Sequence, residues 1–287
     1  MEKQFWYAGA AIATLLAVGV IASTHQPVHA QSARSSSLRD ALAVTSKDFT
    51  APIVFQGSGP NASSIQGLID QFRLALGGIN NASNAGPLAS GRREINWDGG
   101  GNNPATSPGP TPFVTFLNRG ANIVTPGTGF VQAPPSGLAA TFNNPSYATA
   151  FQAFSPLRLF SPIGSNITEI QIFIPGNGTI PALTNGFGVV FADVDQPDGS
   201  GPGNKRGNRG ASTLIQYFGS KGELLYSSFV PASPGQGTLS FFAVLFNDAR
   251  IASIRIRTGD EEPGNDDDDV DIVMMDYFIY GEPKIGG

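Results

Sequence analysis

The sequence predicts a mainly-β fold, a jelly-roll-like antiparallel β-sandwich with one N-terminal amphipathic helix. Three observations point there. The chain carries 36 Gly and 22 Pro in 287 residues, which leaves little room for long helices. Apolar residues make up 40% and charged residues only 14%, so there is a core to bury and little of the self-repulsion that keeps chains disordered. From about residue 113, short apolar runs recur between Gly-, Pro- and Asn-rich turns, the rhythm of a sandwich or barrel.

The N-terminus reads as an export signal. Lys3 precedes an apolar run from Ala8 to Ser23, and Val28 and Ala30 place small residues at −3 and −1 of a cut before Gln31. An uncleaved anchor is the alternative. The run is short and rich in Ala and Gly, and a polar segment follows it, which favours cleavage. Residues 1–30 are therefore expected to be a signal peptide, and the mature chain to be secreted, extracellular or periplasmic, with no membrane span. Residues 31–60 mix Ser, Ala and Pro and read as a flexible lead-in to a single domain spanning 61–283.

That domain opens with a helix expected over 64–77. Ser64 can cap it, Ile65, Leu68, Ile69, Phe72 and Leu76 share one face, and Gly77-Gly78 ends it. The strands expected further on include 166–174, 186–195, 238–246, 250–258 and 270–280. In 250–258, Ile254 and Ile256 alternate with Arg255 and Arg257, the pattern of a strand with one wet face. The runs 238–246 and 270–280 are apolar on both faces and predict central strands covered on both sides. Residues 196–210 hold no large apolar side chain and read as an inserted loop. Its Lys205, Arg206 and Arg209 are too few for a nucleic-acid footprint.

The composition narrows the chemistry. There is no Cys, and both His residues, His25 and His29, fall in the expected signal peptide. A mature chain without either residue type has no histidine-based triad, no thiol chemistry and no His/Cys zinc site. Phosphate-cradling glycine motifs are also missing. Carboxylates remain, either as an acid–base pair or as ligands for a hard cation.

Eight carboxylates lie between Asp260 and Asp271, next to the most apolar strand of the chain. Strand alternation places Phe187, Val189, Phe191, Asp193 and Asp195 on one face, and Val270, Ile272, Met274, Asp276, Phe278 and Tyr280 on another. A carboxylate in an apolar row needs a cation or strong donors. Asp193, Asp195, Asp271 and Asp276 are accordingly the expected ligands of a structural Ca²⁺ ion tying two sheet segments together. The alternative reading has them solvated at strand ends, or paired with Arg255, Arg257 or backbone amides. A second candidate, Arg93, Glu94, Trp97 and Asp98, combines an aromatic platform with polar groups suited to a sugar. Its alternative is a packed Trp97 with Arg92 and Arg93 paired to nearby acids.

Several stretches carry a resemblance. Phe72-Arg73, Ala75-Leu76-Gly77-Gly78, the run Gly91-Arg92-Arg93-Glu94-Ile95-Asn96-Trp97-Asp98-Gly99 and the turn Thr125 to Phe130 occur in that order. Phe187 to Asp195, Leu239-Ser240-Phe241 and Val273 to Pro283 follow. Together they resemble an uncharacterised family of exported bacterial proteins with no assigned activity, over about residues 64 to 283. The resemblance implies export and one continuous domain. Family members usually have paired Asp where this chain has Asp276-Tyr277, and they pass directly from the Asp-Val-Asp strand to the next, which marks 196–210 as an insertion.

The sequence thus points to a secreted, non-catalytic binding protein, stabilised by Ca²⁺, with a glycan or another cell-surface component as partner. Two alternatives stand beside it: an extracellular structural or matrix protein, and a carboxylate-based glycoside hydrolase.

Overall fold

The structure, a computed structural model, describes residues 51–99, 105–195, 213–233, 235–264 and 270–286. The expected signal peptide, most of the lead-in, the loop 196–210 and Asp266 to Asp269 lie outside the described residues. In chain order the first elements are β1 (Ile53–Gly59), α1 (Ala62–Ala75), β2 (Arg92–Ile95), β3 (Ser107–Gly109), β4 (Ala121–Val124) and β5 (Gly129–Ala133). Then come α2 (Pro135–Phe142), α3 (Tyr147–Ala150), β6 (Leu159–Ile163), β7 (Ile167–Ile174), β8 (Asn177–Pro181) and β9 (Gly186–Ala192). The chain continues through β10 (Leu214–Phe218), β11 (Leu224–Phe229), β12 (Leu239–Leu245), β13 (Ser253–Arg257) and β14 (Met274–Gly281).

These strands form an antiparallel β-sandwich. The larger sheet has eight strands in the order β1-β12-β9-β14-β6-β5-β3, with β2 also paired to β14. The smaller has six, ordered β11-β10-β13-β7-β4 with β8 paired to β7. Phe187, Val189 and Phe191 of β9 point into the core between the sheets, together with Ile170 and Ile172 of β7 and Ile254 and Ile256 of β13. Val190 and Ala192 of β9 point the other way and pack under the helices with Ile65, Ile69, Phe72 and Leu138. The large sheet is therefore covered on both faces, which is why β12 and β14 are apolar throughout.

The helix expected over 64–77 lies one cap earlier. Asn61 rather than Ser64 is the N-cap, and its side-chain oxygen accepts from the Ser64 amide at 3.2 Å. The helix can settle closely on the sheet because Gly188 has no side chain. A Cβ there would lie 2.5 Å from the Ala243 Cβ and 3.1 Å from the Phe72 ring.

The lead-in is shorter than expected. Residues 53–59 are β1, an edge strand registered on β12 from Ile53↔Leu245 to Gly59↔Leu239. Residues 113–117 make only a bridge at Phe113↔Ile123 before a single 3₁₀ turn at Leu117–Arg119.

Candidate functional site

The sandwich brings distant acids together at one end. β9 and β14 run antiparallel with Met274 opposite Ala192, so the residues that follow β9 lie beside those that precede β14. Asp193 and Asp195 thereby meet the Asp260–Asp271 turn. That turn is closed by the Asp260 amide donating to the Asp271 carbonyl at 3.1 Å and the Asp271 amide donating to Asp260 Oδ1 at 2.8 Å. Gly259 makes the closure possible: its φ is +58°, and a Cβ there would fall 1.9 Å from the Asp271 carbonyl oxygen.

The acids do not get there by strand alternation. Asp193 has φ +70°, a left-handed conformation that breaks the β9 phase. Val194, not Asp193, re-enters the core that Phe191 faces. The expected row of Phe187, Val189, Phe191, Asp193 and Asp195 is corrected accordingly: it ends at Phe191.

This corner holds carboxyl groups away from water. Asp271 is only 4% exposed, and among the described residues its Oδ2 has no hydrogen-bond partner. Burial, with the neighbouring charge of Asp195 and then of Asp260 and Asp193, pushes the Asp271 pKa up to about 8 against the pull of the Asp195 amide. Asp193 Oδ1 is likewise buried without a partner among the described residues, and burial plus Asp195 push its pKa up to about 7, opposed by the Gly237 amide. Asp195 Oδ1 accepts from the Gly235 amide at 3.2 Å. Among the described residues, no three such side chains form a group that could hold a metal ion. The link between these carboxyl groups is electrostatic, Asp195 acting on both Asp193 and Asp271.

Asp276 does not join them. A bulge at Tyr277, whose φ is +35°, shifts the register of β14 between Asp276 and Phe278. Met274 thus packs on the helix side, while Phe278 and Tyr280 face the core between the sheets. The expected single face from Val270 to Tyr280 is corrected by this slip. Asp276 is fully buried, with Oδ2 accepting from the Phe154 and Ser155 amides at 2.8 Å each and Oδ1 from the Tyr277 amide at 2.6 Å. Its role is to gather the chain at 154–155 onto β14. Burial pushes its pKa up to about 7 against those donors.

Arg93, Glu94, Trp97 and Asp98 do not form a shared cleft. Trp97 has no exposed surface, stacks on Phe160 at 3.7 Å and meets Phe278 edge-on at 4.8 Å. A ring with both faces covered offers nothing to a sugar. Arg93 and Glu282 form a fully buried two-point pair, Nε to Oε2 at 2.8 Å and Nη2 to Oε1 at 2.7 Å. Neighbours in a strand point oppositely, and Glu94 instead takes Arg73 at 2.9 Å, Arg92 at 2.5 Å and the Tyr277 hydroxyl at 2.7 Å. Burial would raise the Glu94 pKa, but those three partners outweigh it and leave the group lowered. Asp98 accepts from the Arg158 amide at 2.9 Å, and burial raises its pKa.

One surface went unnoticed in the sequence. Along β7, buried residues alternate with Ile167, Glu169, Gln171 and Phe173, which sit on the outer face of the small sheet. Beside them stand Gln216 and Phe218 of β10, Ser253 and Arg255 of β13, and Asn122 of β4, registered across the sheet. Arg255 pairs with Glu169 at 2.8 Å and Asn122 donates to Gln171 at 3.0 Å. Two hollows meet at Gln171. One, of about 170 Å³, lies among Glu169, Phe218, Ser253 and Arg255. The other, of about 400 Å³, lies among Phe173, Pro181, Leu183, Ser220 and Ile285. The alternation along β7 was legible, but which of its faces stays open depends on the order of strands in the sheet.

Comparison with protein-family models, curated proteins and solved structures finds no match to this chain. Among the described residues, no helix is long and apolar enough to cross a membrane.

Proposed function

We propose that the chain is an exported, non-catalytic binding protein that holds a neutral glycan across the outer face of its small sheet. The observation that carries this reading is the pair of hollows joined at Gln171. Sites for small ligands are concave, partly apolar and furnished with a few oriented polar groups. Sugar hydroxyls both donate and accept. The lining supplies groups of the same kind in Gln171 and Ser253, with a fixed donor in Arg255 and a fixed acceptor in Glu169. The apolar C–H face of a sugar ring packs against Phe218 or Phe173. The buried Trp97 moves the glycan reading away from residues 93–98 and onto this face. Export rests on the N-terminal signal pattern, and the non-catalytic reading on a sequence whose only His residues lie before residue 30 and which has no Cys.

Screening against immobilised neutral oligosaccharides tests the reading. Gln171→Ala and Arg255→Ala each weaken retention at least ~10-fold, the scale of one lost oriented hydrogen bond. Trp97→Phe, which keeps the stack on Phe160, leaves retention unchanged. A full set of oligosaccharides with no retained member refutes it.

A further inference from the structure

The two hollows that meet at Gln171 differ in chemistry. The smaller, among Glu169, Ser253 and Arg255, is walled by side chains that hydrogen-bond. The larger, of about 400 Å³, is walled by Phe173, Pro181, Leu183, Ala252 and Ile285, and none of its lining residues carries a charge. Its main-chain groups are largely engaged already. The Ile172 amide donates to the Ala252 carbonyl at 3.0 Å, and the Ile172 carbonyl accepts from the Ala182 amide at 2.9 Å. Leu183 and Lys284 exchange two bonds of 2.8 Å, and the Ala252 amide donates to the Phe218 carbonyl at 2.8 Å. The C-terminal segment closes one side. The bridge from Leu183 to Lys284 lays the following residues against Leu183, where a Cβ on Gly286 would come within 3.1 Å of Leu183 Cδ1. Ile285 stays 64% exposed at the rim.

We infer that the ligand of this face is a neutral glycan carrying a linear apolar chain, with the sugar at the polar hollow and the chain in the larger one. The inference rests on the glycan reading and adds the chain to it. A hollow of this size falls within the range that small organic ligands fill. A bare sugar would gain little there, because its hydroxyls would exchange water for a wall whose polar groups are engaged, at a cost for each one left unpaired. Methylenes gain from the same exchange, and they cover Ile285 and the partly exposed Phe173. Gln171 marks the seam. Asn122 donates to its side-chain oxygen at 3.0 Å, which leaves the Gln171 NH₂ to donate to the oxygen that joins sugar to chain. The charged side chains beside the seam, Arg255 and Glu169, neutralise each other at 2.8 Å, so an ionic headgroup has no uncompensated charge to meet.

Calorimetric titration below the critical micelle concentration tests it, using the methyl, butyl, hexyl and octyl glycosides of one neutral oligosaccharide. Affinity rises roughly two- to fourfold per methylene, the gain for burying a CH₂ in part or in full, and levels off once the hollow is full. A second series carries the same chains as esters on a ring hydroxyl, and the steeper series shows which oxygen bears the chain. Ile285→Ser lowers the gain per methylene and keeps the fold, since that side chain is already mostly in solvent. Leu74→Ser, which removes an apolar side chain 73% exposed on α1, leaves both series unchanged and so separates the hollow from general adsorption. A glycan that binds with an affinity indifferent to chain length, or a gain undiminished by Ile285→Ser, overturns the inference and leaves the glycan reading standing. A free alcohol bound as tightly as its glycoside overturns the glycan reading, and failure of every glycoside, methyl included, overturns both.

Discussion

Replacing Glu282 by Gln tests whether the motif around Arg93 is structural. The two side chains are 0% and 1% exposed and meet through two parallel hydrogen bonds of 2.7 and 2.8 Å. Glu282 also accepts from Asn81 Nδ2 at 2.8 Å and from the Leu88 amide at 3.0 Å, while Arg93 Nη1 donates to the Ala82 and Asn84 carbonyls. Each carboxylate oxygen therefore faces two N–H donors. Gln keeps the shape but turns one oxygen into an NH₂ that faces donors, and it leaves the Arg93 guanidinium buried without a counter-charge. Breaking a buried pair in this way costs about 3–5 kcal/mol. The half-exposed pair Arg255–Glu169 is the internal control, since Arg255→Gln costs less than about 1 kcal/mol. Urea denaturation of both variants, read by tryptophan fluorescence and far-UV circular dichroism, measures the difference. A Glu282→Gln cost no larger than that of Arg255→Gln would refute the argument that this pair anchors the loop before β2 to the end of β14.

Three further outcomes follow from the packing. Phe160→Ala removes the ring stacked between Trp97 at 3.7 Å and Phe130 at 4.9 Å and destabilises by about 3–5 kcal/mol in equilibrium unfolding; a cost below about 1 kcal/mol contradicts the buried column. Asp276 is protonated more readily folded, at about 7, than unfolded, at roughly 3.9, so the native state binds the extra proton. Its contribution to stability is fully present below about pH 4 and is lost as the pH rises to about 7, by at most about 4 kcal/mol. The stability–pH slope of the wild type in EDTA exceeds that of Asp276→Asn over this range; identical slopes sink the assignment. Gly259→Ala places a Cβ on the Asp271 carbonyl and lowers the melting temperature by several degrees, whereas a neutral effect would mean that the turn is looser than it stands.

The parts of this fold that are local in origin could be read from the sequence. The apolar face of α1 and the two-sided strands β12 and β14 follow from periodicity. So does the wet face of β13, because Arg255 and Arg257 alternate with Ile254 and Ile256. What could not be read depended on distant partners or on single residues. β2 carries Arg92, Arg93 and Glu94, a polar run that looks like a loop until Glu282 arrives from 189 residues away to neutralise Arg93. The alternation arguments for Asp193 and Asp276 each failed at one residue with positive φ, Asp193 itself and Tyr277, neither of them a glycine that would have marked the break. Asp271 reaches the segment after β9 through strand pairing, not a shared face, and its side chain there accepts from the Asp195 amide. For Trp97, an exposed platform and a core ring look the same in sequence, and only the stack on Phe160 distinguishes them.

The most direct test of the central claim is a crystal structure of the chain soaked with a neutral oligosaccharide that it retains. The sugar should lie on the outer face of the small sheet, in the hollows that share Gln171, within hydrogen-bond reach of Gln171, Ser253 or Arg255. A sugar bound elsewhere on the molecule, with this face empty, would contradict the account.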